Sequence, residues 1–148
     1  MEIDGIPLHP LVVHAAVVLT PLAALLALAS LVPSWRERLR WPALVGALVA
    51  VGAVVAAYLS GGDFRDSDRF ATASGEFAEK LQTHEDLGGY LLWWTIAFGV
   101  VVLVSAVLNP AKAAVRWLLG ALVAVAAVAV IVIVVVTGHS GADAVWGA

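Results

Sequence analysis

Cysteine is absent from this chain of 148 residues, and Met1 is its single methionine. Without thiols there are no disulfides, iron–sulfur ligation or thiolate metal sites. One methionine at the start of the chain also argues against thioether ligation of Cu(I). Any metal must be held by imidazole nitrogen and oxygen. Charge is scarce as well: 13% of residues are charged and 62% hydrophobic, far from the roughly one-quarter charged share of soluble domains.

Four windows hold no Asp, Glu, Lys or Arg at all: Gly5–Trp35, Trp41–Gly62, Leu87–Ala111 and Trp117–Ala142. Each exceeds the roughly 20 apolar residues needed to cross a bilayer core, whereas a buried soluble helix keeps a polar face. The expected fold is therefore all-α, an integral-membrane four-helix bundle in one domain. Its spans are placed at about 10–31, 42–59, 87–108 and 116–136. Glu2 and Asp4 replace the positive n-region of a signal peptide, so the first span is read as a retained helix. Pro10 and Pro42 mark two starts. Asn109-Pro110 should close the third helix, and Gly138 should stop the fourth.

An even span number puts both termini on one side. The loops opposite them carry Arg36, Arg38, Arg40, Lys112 and Arg116 against Glu37 alone. The terminal side, including an acidic loop at 61–86, carries Arg65, Arg69 and Lys80 against ten acids. The positive-inside rule then makes the basic loops cytoplasmic and both termini extracytoplasmic. Trp93, Trp94 and Trp146 on one side, and Trp35, Trp41 and Trp117 on the other, read as interfacial anchors.

What the chain does have is four histidines, all near the same edge. Histidine is the commonest metal ligand and titrates nearest neutrality. His14 lies about 6 Å inside the first helix by its rise per residue. Ionisable groups at that depth usually face the bundle interior. His9, ahead of Pro10, reads as an extended cap. His84 is either part of a Thr83-x-x-Asp86 capping box or lies on a longer helix from about Glu76. In the longer helix Phe77, Leu81, His84, Gly88, Leu91 and Thr95 form one inward stripe. His139 follows Gly138 at the interface. Glu85 and Asp86 are candidate partners for an imidazole, and small residues such as Gly46, Ala50, Gly120 and Ala127 allow close helix packing and oligomerisation.

These residues suggest a cofactor site at His14, His84 and His139, with His9 beside it. Haem b is the leading cofactor, and His14 or His84 paired with His139 the expected ligands. A haem on that side alone would exchange electrons with a periplasmic or quinone partner. A divalent ion (Zn, Cu or Fe) joined by Glu85 or Asp86 is the alternative, and an assembly subunit without ligand the third reading. No nucleotide loop, nucleophile constellation or zincin motif is present, so an enzyme is not expected. With a net charge of −3 and scattered bases, neither is a nucleic-acid partner.

The run Ile6-Pro7-Leu8-His9-Pro10-Leu11-Val12-Val13-His14 resembles the opening of a bacterial four-helix membrane family, domain of unknown function 2231. A histidine before the third span (His84) and a terminal Gly138-His139-Ser140-Gly141 extend the resemblance over nearly the whole chain. Pro21 lies a turn further in than that family's usual Phe-Pro, and Ala142 stands where a second glycine is common. The resemblance implies a location in the bacterial inner (plasma) membrane, and it makes His9, His14, His84 and His139 the motif positions.

Overall fold

The computed structural model describes residues 2–3, 6–66 and 73–146, and everything structural below refers to these. Two short strands, β1 (Glu2–Ile3) and β2 (Ile6–Pro7), pair antiparallel ahead of the first helix. Four helices follow: α1 Leu8–Ala29, α2 Arg36–Arg65, α3 Gly75–Leu108 and α4 Ala113–Trp146. The chain runs up and down, with α1 packed on α2 and α4, and α3 packed on α4 and α2. The termini share one end of the bundle with the α2–α3 connection; this is the histidine end. The α1–α2 and α3–α4 connections form the opposite, basic end.

All four helices are long and apolar enough to cross a membrane, and only 28–33% of each apolar window is buried within the bundle. The rest is partly or fully uncovered, and each helix exposes large apolar residues such as Leu22, Leu25, Val45, Val100, Val125, Val132 and Val135. An exposed apolar belt of this extent is a lipid-facing surface. All six tryptophans are exposed, as interfacial anchors are. Lipid tails are as apolar as leucine, so the helices associate by close packing instead. The core is accordingly alanine-rich: Ala23, Ala24, Ala27, Ala43, Ala47, Ala50, Ala126 and Ala127 surround Phe98 and Val130. Gly46 approaches the Ala23 backbone, and Gly99 admits the side chain of Val51.

Three helices outrun the spans marked by the charge-free windows. At 1.5 Å per residue α2 is about 45 Å long and α3 and α4 about 51 Å, against a hydrocarbon core of about 30 Å. Apolarity bounds a span, but it does not bound a helix. Beyond the apolar window, α3 continues on Glu76, Phe77, Ala78, Glu79, Lys80, Leu81 and Gln82, with Glu76 and Lys80 paired at i,i+4 (3.2 Å). Most of the expected 61–86 loop is therefore helix; Asp68 and Arg69 lie outside the described residues. Two expected boundaries are corrected. Of the two readings for His84 the longer helix holds, α3 starting at Gly75, and Thr83 donates to the Glu79 carbonyl in mid-helix instead of opening a capping box. Gly138 sits inside α4, against Val17, and does not stop it. Asn109 does end α3, in a left-handed conformation (φ 36°).

Candidate functional site at the histidine end

His9 and His84 come together, with ring centroids 6.4 Å apart and planes at 71°. His9 is the second residue of α1, not an extended cap. Its Nδ1 donates to the Ala57 carbonyl (3.0 Å) on α2 and lies 3.4 Å from Ser60 Oγ. That tertiary bond outweighs the local bias of a pre-proline residue against helix. His84 makes the same bonds to α4: Nδ1 to the Thr137 carbonyl (3.1 Å), with Ser140 Oγ at 3.0 Å. In both cradles the serine hydroxyl donates to the same carbonyl as the imidazole. In both, the next residue is a glycine lying against the ring. A Cβ on Gly61 would meet His9 Cε1 at 3.1 Å, and one on Gly141 would meet His84 Cε1 at 2.8 Å.

A carbonyl oxygen only accepts, so Nδ1 carries the proton in both rings. Each neutral imidazole then keeps its lone pair on Nε2, and no described residue bonds to either Nε2. Phe64 stacks on His9 at 5.7 Å and covers one face of the pair.

The matching cradles belong to a wider repeat. Buried positions on α1 recur on α3 75 residues later: Ala16 and Leu91, Thr20 and Thr95, Ala23 and Phe98, Ala27 and Val102, with His9 and His84 in the same relation. Buried positions on α2 recur on α4 80 residues later: Ala43 and Val123, Ala47 and Ala127, Ala50 and Val130, Val54 and Val134, with Ser60 and Ser140 alongside. The chain is two copies of one helix hairpin, running in the same direction and packed about an axis along the bundle, an arrangement seen in parallel-repeat membrane proteins. Each hairpin supplies one imidazole.

Two expected ligands do not join. His14 is exposed on the lipid-facing side of α1, where its Nδ1 bonds to the Pro10 carbonyl one turn back. The stripe it shares with Val18 and Leu25 faces outward, both of these being 55% exposed. A depth argument fixes how far a residue lies along the helix, not the direction it faces. His139 is likewise exposed, although it lies between the Thr137 and Ser140 that hold His84. The expected pairing is of His14 or His84 with His139; His84 instead lies beside His9. Glu85 and Asp86 do not orient an imidazole. Glu85 pairs with Arg65 of α2, and Asp86 accepts from Gln82. Gly88 has open space around it. Among the described residues no cluster of three His, Asp or Glu side chains is placed to hold a metal ion.

Sequence reading missed the serine–glycine half of each cradle. The signal is present as a histidine followed eleven residues later by threonine (His9 and Thr20, His84 and Thr95) and as the pair Ser60-Gly61 and Ser140-Gly141.

A family model described as "Predicted membrane protein (DUF2231)" matches residues 5–148. No curated protein and no solved structure matches the chain.

Proposed function

The chain belongs to the family of predicted membrane proteins DUF2231, and on that footing we propose that it is a membrane haem protein whose iron is held by Nε2 of His9 and of His84. The observation carrying this reading is the identical anchoring of the two rings. A metal-bound histidine characteristically donates its other N–H to a carbonyl or carboxylate, which fixes tautomer and orientation, and both imidazoles are held that way. An imidazole nitrogen sits about 2 Å from a bound metal, so two rings across one ion have centroids roughly 6 Å apart. The 6.4 Å separation of this pair agrees with that spacing.

Haem is favoured over a bare divalent ion by ligand count. The porphyrin supplies four nitrogens, so two imidazoles complete the iron. Zinc held by protein alone takes three or four side chains, and among the described residues no third His, Asp or Glu joins this pair. Such a haem would carry single electrons at the histidine end, in exchange with a periplasmic or quinone partner if the basic end is cytoplasmic.

One observation favours a second reading, in which the histidines are helix clips. Each Nδ1 bond ties two helices of one hairpin, α1 to α2 and α3 to α4. The absorption spectrum of the full chain purified from haem-replete cells, with metal analysis alongside, separates the readings. A Soret band retained in His14→Ala and His139→Ala, and lost in both His9→Ala and His84→Ala, is the expected result. Absence of the band after haem titration overturns the proposal. In that case stoichiometric metal marks an ion site, and lowered stability in His9→Ala without metal marks the clips.

A further inference from the structure

The basic end holds a cavity of about 560 Å³ lined by α2, α3, α4 and the α1–α2 connection, within the roughly 300–1,000 Å³ of small-molecule sites. Its deep wall is apolar, built by Ala43, Val102, Ala106 and Val123. Its mouth carries Arg36, Arg40 and Arg116 against the single carboxylate of Glu37, a formal balance of two positive charges. Exposed Trp41 and Trp117 place this mouth at an interfacial depth.

Arg40 is the informative residue. Its side chain is only 23% exposed, and its Nε is buried with no hydrogen-bond partner among the described residues. The guanidinium lies over Trp41, 5.2 Å from the ring centroid, and its one carboxylate neighbour, Glu37, stands 3.8 Å away. Glu37 is shared, accepting from Asn109 Nδ2 at 3.3 Å. A guanidinium has five N–H donors and no acceptor, and leaving a buried donor unmet is unfavourable. The complement is an acceptor-rich anion, and planar guanidinium groups match phosphate well. With apolar walls below and cations at the mouth, the matching ligand has an anionic head and a hydrocarbon tail.

We infer that this cavity binds an anionic phospholipid, its phosphate against Arg40 and Arg116 and an acyl chain along Val102 and Val123. A zwitterionic lipid offers the same phosphate but adds a cation that the arginines repel. The bilayer delivers the ligand laterally, which suits a mouth at the interface. Basic pockets between transmembrane helices are known to hold anionic head groups. This site is independent of the histidine pair.

The test reconstitutes the full chain in phosphatidylcholine nanodiscs doped with phosphatidylglycerol, and reads lipid retained after detergent extraction by native mass spectrometry. Phosphatidylglycerol should be retained in preference, and Arg40→Gln and Arg116→Gln should each lower that preference about fivefold, the effect of one basic residue near an anionic head group. Arg38→Gln, which removes an exposed charge outside the cavity, should leave it unchanged. Equal retention of both lipids overturns the inference, as does an Arg38→Gln effect matching that of Arg40→Gln, which would mark general surface charge. Stabilisation by inorganic phosphate alone in pure phosphatidylcholine also overturns it, in favour of a free-anion site. If Arg40→Gln fails to fold, exposed Arg116→Gln decides.

Discussion

Gly141 makes room for His84: a methyl group at position 141 would stand 2.8 Å from imidazole Cε1 and 3.2 Å from Nδ1. Nothing with a Cβ fits there while the ring keeps its bond to Thr137. Gly141→Ala should therefore displace His84, at a stability cost of about 1–3 kcal/mol for an overpacked site. Gly61→Ala, where the contact is 3.1 Å, should be milder. Reversible unfolding in detergent ranks the two; equal effects would mean that the rings give way freely.

The hydrogen bonds fix a single tautomer for two residues. Nitrogen-15 NMR of labelled histidine should show His9 and His84 protonated at Nδ1 and bare at Nε2. Ser60→Ala and Ser140→Ala leave the carbonyl acceptors in place, so each should lower stability by about 1 kcal/mol or less without changing tautomer. A proton found on Nε2 in the neutral rings would contradict the cradle geometry.

Gly99 and Val51 form the tightest glycine contact between α2 and α3, a Cβ on Gly99 falling 2.9 Å from Val51 Cγ2. Valine is stiff at χ1 and cannot swing aside. Gly99→Ala should destabilise the bundle by about 1–3 kcal/mol, and Val51→Ala in the same chain should recover most of that. A double-mutant cycle measures the coupling. Additive effects would show that the helices simply move apart.

Arg65 and Glu85 join α2 to α3 above the apolar region, with side chains 38% and 48% exposed. Solvent screens such a pair, so Arg65→Ala should cost about 0–1 kcal/mol, less as salt is raised. A larger, salt-independent loss would mean that Arg65 holds the histidine end together by packing.

The absence of cysteine makes topology simple to measure. Single cysteines introduced at Ser34 and Ala111 on the basic end should be shielded from an impermeant thiol reagent in intact cells, and one at Ala144 should be labelled. The reverse pattern would place the histidine pair on the cytoplasmic side.

Much of this molecule is legible in its sequence. Windows such as Leu87–Ala111 declare their helices because a charge inside lipid is unfavourable, and no packing can hide that signal. Asn109-Pro110 declares the end of α3. The start of α3 was legible as one of two readings, the helix from about Glu76, whereas the end of α4 was not legible at Gly138, since nothing about leaving the bilayer obliges a helix to stop. Direction around the axis was harder still. On a helix that is apolar on every face, no periodicity separates a core face from a lipid face, so only the depth of His14 points it inward, and depth does not set direction. The His9–His84 pair depends on where Ala57 and Thr137 place their carbonyls, which no local pattern encodes. The repeat was hard to see because many of its members differ in side chain, as Ala23 and Phe98 do, and share burial alone, with only a few identities such as Thr20 and Thr95 to mark it.

The duplicated hairpin leaves the two ends of the bundle unlike in symmetry. At the histidine end the cradles match in carbonyl, serine and glycine, so each half presents an imidazole held in the same way, although Phe64 beside His9 corresponds to Ala144 in the other half. At the basic end the copies differ: α2 opens on Arg36, Arg38 and Arg40, whereas α4 follows a short Asn-Pro link and carries Arg116 in its first turn. A twofold arrangement suits an occupant with two equivalent bonding directions, and a lopsided one suits an occupant with a head and a tail. The two ends of the bundle therefore offer an occupant different symmetries.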